Sequence, residues 1–355
     1  MMATQTLSDR AIALLKKLIE IPSLSKEEDK TCVLLADYLK NQGVTVHIDG
    51  NNVWCFSEHY DATKPHLLLN SHHDTVKPNS GYSRDPFTAS VNEEGKLFGL
   101  GSNDAGGPLV SLLMTFLHFY QQDLPFNMVF AATAEEEISG KGGIASILHQ
   151  LPEITFGVVG EPTGMEMAVA EKGLIVIDCV SKGKAGHAAR KNGLNAIELA
   201  LKDLQWLKDY EFEKESATLG KINLSVTQIQ AGTQHNVIPD RCEFVIDVRT
   251  TDAYSNEEVV EIIDQHLDAE VKPRSTRLQP SGIPDNHPAM EVAEKLKIGR
   301  YGSPTLSDQA LMPFPTIKMG PGISERSHTA DEFIYVKEIE EGIAGYIQFI
   351  ENLKL

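Results

Sequence analysis

Four short apolar runs in this chain each lead into a residue able to hold a metal ion or move a proton. HLLLN (66–70) runs into Ser71-His72-His73-Asp74. MVFAAT runs into Glu135-Glu136-Glu137, and TFGVVG into Glu161. TIKMG passes through a Gly-Pro-Gly turn toward His328. A further candidate, Asp104, stands in GLGSNDAGG just ahead of a long apolar stretch. Imidazoles and carboxylates without cysteine suit a catalytic divalent cation, zinc first, with Co²⁺ or Mn²⁺ as substitutes. The loop spacing that would favour calcium is missing. The three glutamates have no basic residue immediately beside them, so a bound cation is the natural counter-charge. His72 and Asp74, two apart, share a face if the strand continues. Asp74 could then fix the His72 tautomer, while His73 points the other way as a neighbour rather than a ligand.

Each residue alone has an ordinary reading. Asp104 could be a helix cap, the glutamate run a solvated helix start, and any single histidine a satisfied core residue. Their shared placement after apolar strands is what points to one site, because ligands of open α/β sheets bind outside the carboxyl ends of the strands. SGKGG is not a phosphate-binding loop, since its first glycine and its Ser/Thr are absent. No GxSxG elbow supports Ser327-His328 as a hydrolase pair.

The elements that must position these groups alternate. An amphipathic helix, with Ser8 as its expected cap and Ile12, Leu15 and Ile19 on one face, stops at Pro22. A second runs near Glu27 to Asn41 and ends at Gly43. HLLLN, FNMVFAAT (126–133) and ITFGVVG (154–160) read as strands, and PLVSLLMTFLHFY (108–120) as a buried helix. This is an α/β layer with a mixed, mostly parallel sheet. From residue 172 the texture becomes β-α-β-β-α: LIVIDCV, NAIELALKDLQWLKDY, INLSVTQIQ, CEFVIDVRT and NEEVVEIIDQHL. Near 277 the first texture returns, with a strand at PTIKMG (315–320) and a last helix from Lys337. The expectation is a discontinuous catalytic domain, 1–171 with 277–355, carrying an inserted α+β domain at 172–276.

A chain of 355 residues is consistent with two domains. A formal charge of −18 argues against nucleic-acid and anionic-membrane partners. Cys32, Cys55, Cys179 and Cys242 form no CxxC pair and read as buried thiols of a reducing compartment. The first residues lack the apolar core of a signal peptide, and no run reaches membrane-spanning length, so a cytoplasmic protein is expected.

SHHDTV, LGSNDAGG, TAEEEISGKGG, GEPTG, KAGHAARKNGLNA, HNVIPD and GPGISERSHTADEF, in that order, resemble the dinuclear-zinc amidohydrolases across essentially the whole chain. That family includes acetylornithine deacetylase, succinyl-diaminopimelate desuccinylase, carboxypeptidase G2 and the aminoacylases, and the chain looks most similar to the acetylornithine deacetylase branch. The resemblance implies two Zn²⁺ per subunit. It makes His72, Asp104, Glu137, Glu161 and His328 the ligands, with Asp104 bridging, and makes Asp74 the residue that orients His72. It makes Glu136 the general base. His187 resembles a histidine that reaches a partner subunit's active site and steadies the oxyanion, which implies a homodimer formed through the inserted lid domain. Asn236 and Arg249 resemble substrate-contacting lid residues, and Arg190 and Lys191 are further candidate carboxylate partners. Glu135 stands where the family has Asp, and Gly99-Leu100-Gly101 and Ala105-Gly106-Gly107-Pro108 depart from its usual flanks. The implied reaction is hydrolysis of an N-acetyl or N-succinyl amino acid of the ornithine, citrulline or diaminopimelate kind, in amino-acid biosynthesis. A di- or tripeptide exopeptidase and a non-catalytic metal-binding protein are the alternatives.

Overall fold

The computed structural model describes residues 6–190 and 192–355. Helix α1 (Leu7–Ile19) is capped by Thr6, not Ser8. The Thr6 hydroxyl accepts from the Asp9 N–H while the Asp9 carboxylate accepts from the Thr6 N–H. That reciprocal pair is a capping box; Ser8 has no acid three residues on to form one. Leu14, Leu15, Leu18 and Ile19 are buried, whereas Ile12 is only half-buried. Helix α2 (Asp29–Asn41) gives way to Gly43 at φ +81°, a left-handed position that glycine takes without strain.

Strands β1 (Val46–Asp49), β2 (Asn52–Phe56) and β3 (His66–His72) follow, then helix α3 (Gly107–Phe119), β4 (Asn127–Thr133) and β5 (Phe156–Val159). The chain continues through β6 (Gly173–Lys182), α4 (Ala196–Asp209), β7 (Asn223–Ala231), β8 (Arg241–Thr250), α5 (Asn256–His266) and β9 (Glu270–Pro273). It closes with α6 (Pro288–Leu296), β10 (Thr316–Lys318), β11 (Phe333–Tyr335) and α7 (Val336–Asn352). Two compact units result: Met1–Val169 with Gly282–Tyr301 and Ser307–Leu355, and Ala170–Ser281 with Gly302–Leu306.

In the first unit, β4, β3, β5 and β10 are neighbours in that order and mutually parallel, with β2 antiparallel beside β4. Register aligns their carboxyl ends: His72 lies opposite Thr133, Asn70 opposite Val159, and Val159 opposite Lys318. Both faces of this sheet are covered. Leu67, Leu69, Met128 and Phe130 pack with α1, α3 and α7, while Leu68, Val129 and Ala131 pack with Ile144, Ile147 and Met312. Such strands read as unbroken apolar runs because neither face meets water.

The second unit is a four-stranded antiparallel sheet, β7-β8-β6-β9. One face packs Ile175, Ile177, Phe244 and Ile246 against Ala200 of α4 and Val259 and Ile263 of α5. Strand β9 is an addition to the five elements expected here; Lys272 and Pro273 hid its apolar alternation. Among the described residues no helix is long and apolar enough to cross a membrane.

Candidate metal centre

The site is assembled from the ends of β3, β4 and β5, with Asp104 from the segment ahead of α3 and His328 from the loop after β10, so its ligand types arrive from distant parts of the sequence on a common edge. His72 closes β3 and is buried. Its Nε2 lies 3.3 Å from Asp104 Oδ1, 3.8 Å from Glu161 Oε1 and 3.9 Å from Glu136 Oε2. His328 Nε2 lies 2.9 Å from Glu137 Oε2 and 3.6 Å from Asp104 Oδ2. Asp104 therefore presents one oxygen to each imidazole and joins two clusters.

Asp74 is the organiser behind them. Its Oδ1 is 3.3 Å from His72 Nδ1, whose hydrogen bond is shared with the Asp74 main-chain oxygen at 3.0 Å. The same carboxylate accepts the Glu136 and Glu137 N–H groups and the Ser25 hydroxyl. One buried acid thus fixes an imidazole and the backbone of two glutamates. His73 is no part of the cluster: its ring sits between the Thr31 hydroxyl and the Asn51 carbonyl, and burial lowers its pKa.

Glu135 has a structural task. It starts the turn in the left-handed region, at φ 55° and ψ 21°, and its carboxylate accepts the Gly142 N–H. A Cβ at Gly142 would come within 2.5 Å of that carboxylate, so the SGKGG loop needs its glycines to hold the longer Glu side chain.

Several bracing residues escaped the sequence reading. Glu332 is buried, and its two oxygens accept the N–H groups of Gly101 (3.0 Å), Asn103 (2.8 Å) and Asp104 (2.9 Å). Glu28, also buried, accepts from Glu135 N–H, Lys26 N–H and the Asn51 amide. Ser25 and Lys318, the latter buried on β10 and drawing down the Glu161 pKa, were likewise unassigned. The available signal for Glu332 was its position four residues after His328 in SHTADEF.

The charges are unbalanced within the protein itself. Burial pushes the Glu161 carboxyl up to about 8, against the pull of His72. Burial also raises Glu136 well above the carboxylate range, opposed by His72 and reinforced by Glu161, Asp308 and Glu137. His328 rises to about 9 through its hydrogen bond to Glu137. A donor set of carboxylate oxygens and imidazole nitrogens, crowded enough to repel itself, fits divalent cations of the zinc, cobalt or manganese kind. Two groupings have ligand atoms within 4.8 Å of one another: His72 with Asp104 and Glu137, and His72 with Glu136 and Glu161.

The second unit carries the other candidates. His187 lies on a two-residue strand paired with Val237–Ile238, and the Ala188 N–H donates to the Asn236 carbonyl, so His187 and Asn236 are neighbours. Arg190 ends the short turn that follows and is exposed. Arg249 stands apart on β8 with its guanidinium engaged by Asp247, at 2.8 and 3.1 Å. Lys191 lies outside the described residues.

Over nearly their full lengths, the chain is 28% identical to acetylornithine deacetylase of Proteus mirabilis (strain HI4320), covering 97% of each. Its fold is similar to aminopeptidase PepT of Bacillus cereus ATCC 10987, at TM-score 0.79 and 20% identity, covering 97% of this chain and 98% of that one. It is also similar to a dinuclear metal-binding peptidase of the M20 family from Bacillus subtilis, at TM-score 0.74 and 18% identity, covering 98% and 99%. The sequence profile of Peptidase family M20/M25/M40 matches residues 68–352. With its histidines and carboxylates gathered at one sheet edge, the chain belongs to that family of metal-dependent amide-bond hydrolases.

Proposed function

We propose that the protein hydrolyses the amide bond of an N-acyl amino acid of the ornithine, citrulline or diaminopimelate class, in amino-acid biosynthesis. The full-length likeness to an acetylornithine deacetylase supports this over a peptidase reading, because the peptidase likenesses lie at lower identity and speak only to fold. His72, Asp104 and Glu161 would hold one Zn²⁺, and His328, Glu137 and Asp104 the other. Bound cations of this kind supply a polarised carbonyl and a water acidic near neutral pH.

The chain's own residues do the rest. Glu136 accepts a proton from the attacking water as the water oxygen bonds to the acyl carbon. The C–N bond then breaks, Glu136 returns the proton to the leaving amine, and the new carboxylic acid gives up its own proton, so that a carboxylate and an ammonium group result. Asp74 keeps His72 in one tautomer and holds the Glu136 backbone still. His187 donates to the developing oxyanion. Asn236, Arg190 and Arg249 contact the substrate, with Arg249 exchanging Asp247 for a substrate carboxylate.

The deciding assay is amine release from paired N-acetyl and N-succinyl forms of ornithine, citrulline and diaminopimelate by metal-loaded protein, beside a set of di- and tripeptides. Turnover of acyl amino acids with peptides inert is expected. Peptide cleavage with every acyl amino acid inert would overturn the assignment in favour of an exopeptidase.

We also propose a homodimer formed through the second unit. Strand β7 ends its sheet with one edge unpaired, and Ile229 on it and Ile197 and Leu201 on α4 are exposed apolar side chains. Sedimentation is expected to give a dimer. His187→Ala is expected to lose about 10²-fold in turnover, as for loss of an oxyanion donor, with metal content intact. A fully active monomer would remove both the dimer and the cross-subunit role of His187.

A further inference from the structure

Beside His328 the first unit has a recess of about 190 Å³. At about 30 Å³ per water this is room for roughly six waters, far more than the methyl of an acetyl group needs. Val76, Pro78, Leu100 and Tyr82 give it apolar walls, and His328, whose Nε2 lies 2.9 Å from Glu137, also lines it. The polar lining is mostly engaged elsewhere. The Asn79 amide donates to the His328 carbonyl and accepts from the Gly81 N–H, and the Thr329 hydroxyl donates to the Arg326 carbonyl. The Tyr82 hydroxyl is sealed from solvent; the Glu332 main chain lies close by without the geometry of a hydrogen bond. Lys77 is different. It is exposed, and its ammonium has no ion-pair or hydrogen-bond partner among the described residues.

An apolar slot with a single unengaged cation selects a short aliphatic chain that ends in an anion. The setting sharpens that demand. The chain carries a formal charge of −18, and the adjoining centre gathers four carboxylates, so a second anionic group on a substrate is repelled unless a local cation receives it. Lys77 follows His72 by five residues on the segment leaving β3, so the strand that delivers a ligand also delivers this cation.

We propose that this recess receives the acyl chain of the substrate and that the Lys77 ammonium pairs with a carboxylate at its far end, so that a succinyl-type group is preferred to acetyl. This rests on the deacylase reading and names the acyl class that reading leaves open.

The test is calorimetric binding of succinate, butyrate and acetate to metal-loaded wild-type and Lys77→Met proteins, with turnover of N-succinyl and N-acetyl substrates measured in parallel. Butyrate matches the succinate chain without the second carboxylate. Succinate is expected to bind about five-fold tighter than butyrate, the upper range for a partly exposed ion pair. Lys77→Met is expected to abolish that margin and to raise KM for the succinyl substrate relative to the acetyl one. Equal binding of succinate and butyrate, or a margin unchanged in Lys77→Met, overturns the proposal. A Lys77-dependent margin without turnover of any acyl amino acid supports the recess while sinking the deacylase reading.

Discussion

Glu136→Gln is expected to lower kcat by about 10²–10⁴-fold, the usual contribution of a positioned general base, while the protein keeps its metal. The Glu136 N–H is held by Asp74 Oδ1 at 3.0 Å, so an isosteric side-chain change leaves the turn in place. Glu137 and Asp104 make the close approaches to the imidazoles, whereas Glu136 and Glu161 stand farther off, 3.9 and 3.8 Å from His72 Nε2. A carboxyl beside the ligands whose pKa burial drives upward can carry a proton between water and amine. Gln keeps the shape and cannot take the proton. Metal content by elemental analysis, beside kcat, separates the possibilities. Loss of metal in Glu136→Gln would make Glu136 a ligand, in line with its proximity to His72 and Glu161, and would remove it as the base.

Glu332→Gln is expected to weaken metal binding by about 10–100-fold, as for other groups that orient ligands from behind. Both oxygens of the wild-type carboxyl act as acceptors, from three backbone N–H groups of the Asp104 loop. A Gln amide turns one oxygen into an NH₂ group, which sets donor against donor and leaves buried N–H groups unpaired. The loop must then shift, and Asp104, which serves both clusters, shifts with it. Calorimetric metal titration reads the effect directly, with thermal unfolding of the metal-free variant alongside. A lower melting temperature with unchanged metal affinity would reduce Glu332 to a purely structural role.

The strands that deliver the ligands were legible because burial on both faces makes them continuous apolar runs. The polar residues at their ends stand out for the same reason: HLLLN, MVFAAT and TFGVVG each give way within two residues to an imidazole or a carboxylate. What braces those ends was not legible. Glu332 reaches Asp104 across more than two hundred residues, and Glu28 reaches Glu135 across more than one hundred. Neither has a local pattern, since a carboxylate that accepts main-chain N–H groups from afar looks in sequence like a surface acid. Strand β9 was missed because β-pattern rules demote a segment ending in proline, which an edge strand tolerates. Thr6 was missed as the α1 cap because Ser8 lies nearer the apolar face, whereas the reciprocal bond with Asp9 decided the boundary.

The order in which the ribosome makes the chain now acquires a meaning. His72, Asp104, Glu137 and Glu161 emerge first, and the second unit, nearly contiguous from Ala170 to Ser281, can fold as it appears. His328 and Glu332 follow only after the second unit has been made, so until then the nascent chain has one imidazole of the centre, Asp104 without its Glu332 brace, and a surplus of negative charge. Completion of the centre waits for synthesis to pass Glu332. A prematurely terminated product would therefore be a hydrolase that was never armed, whatever its degree of folding elsewhere.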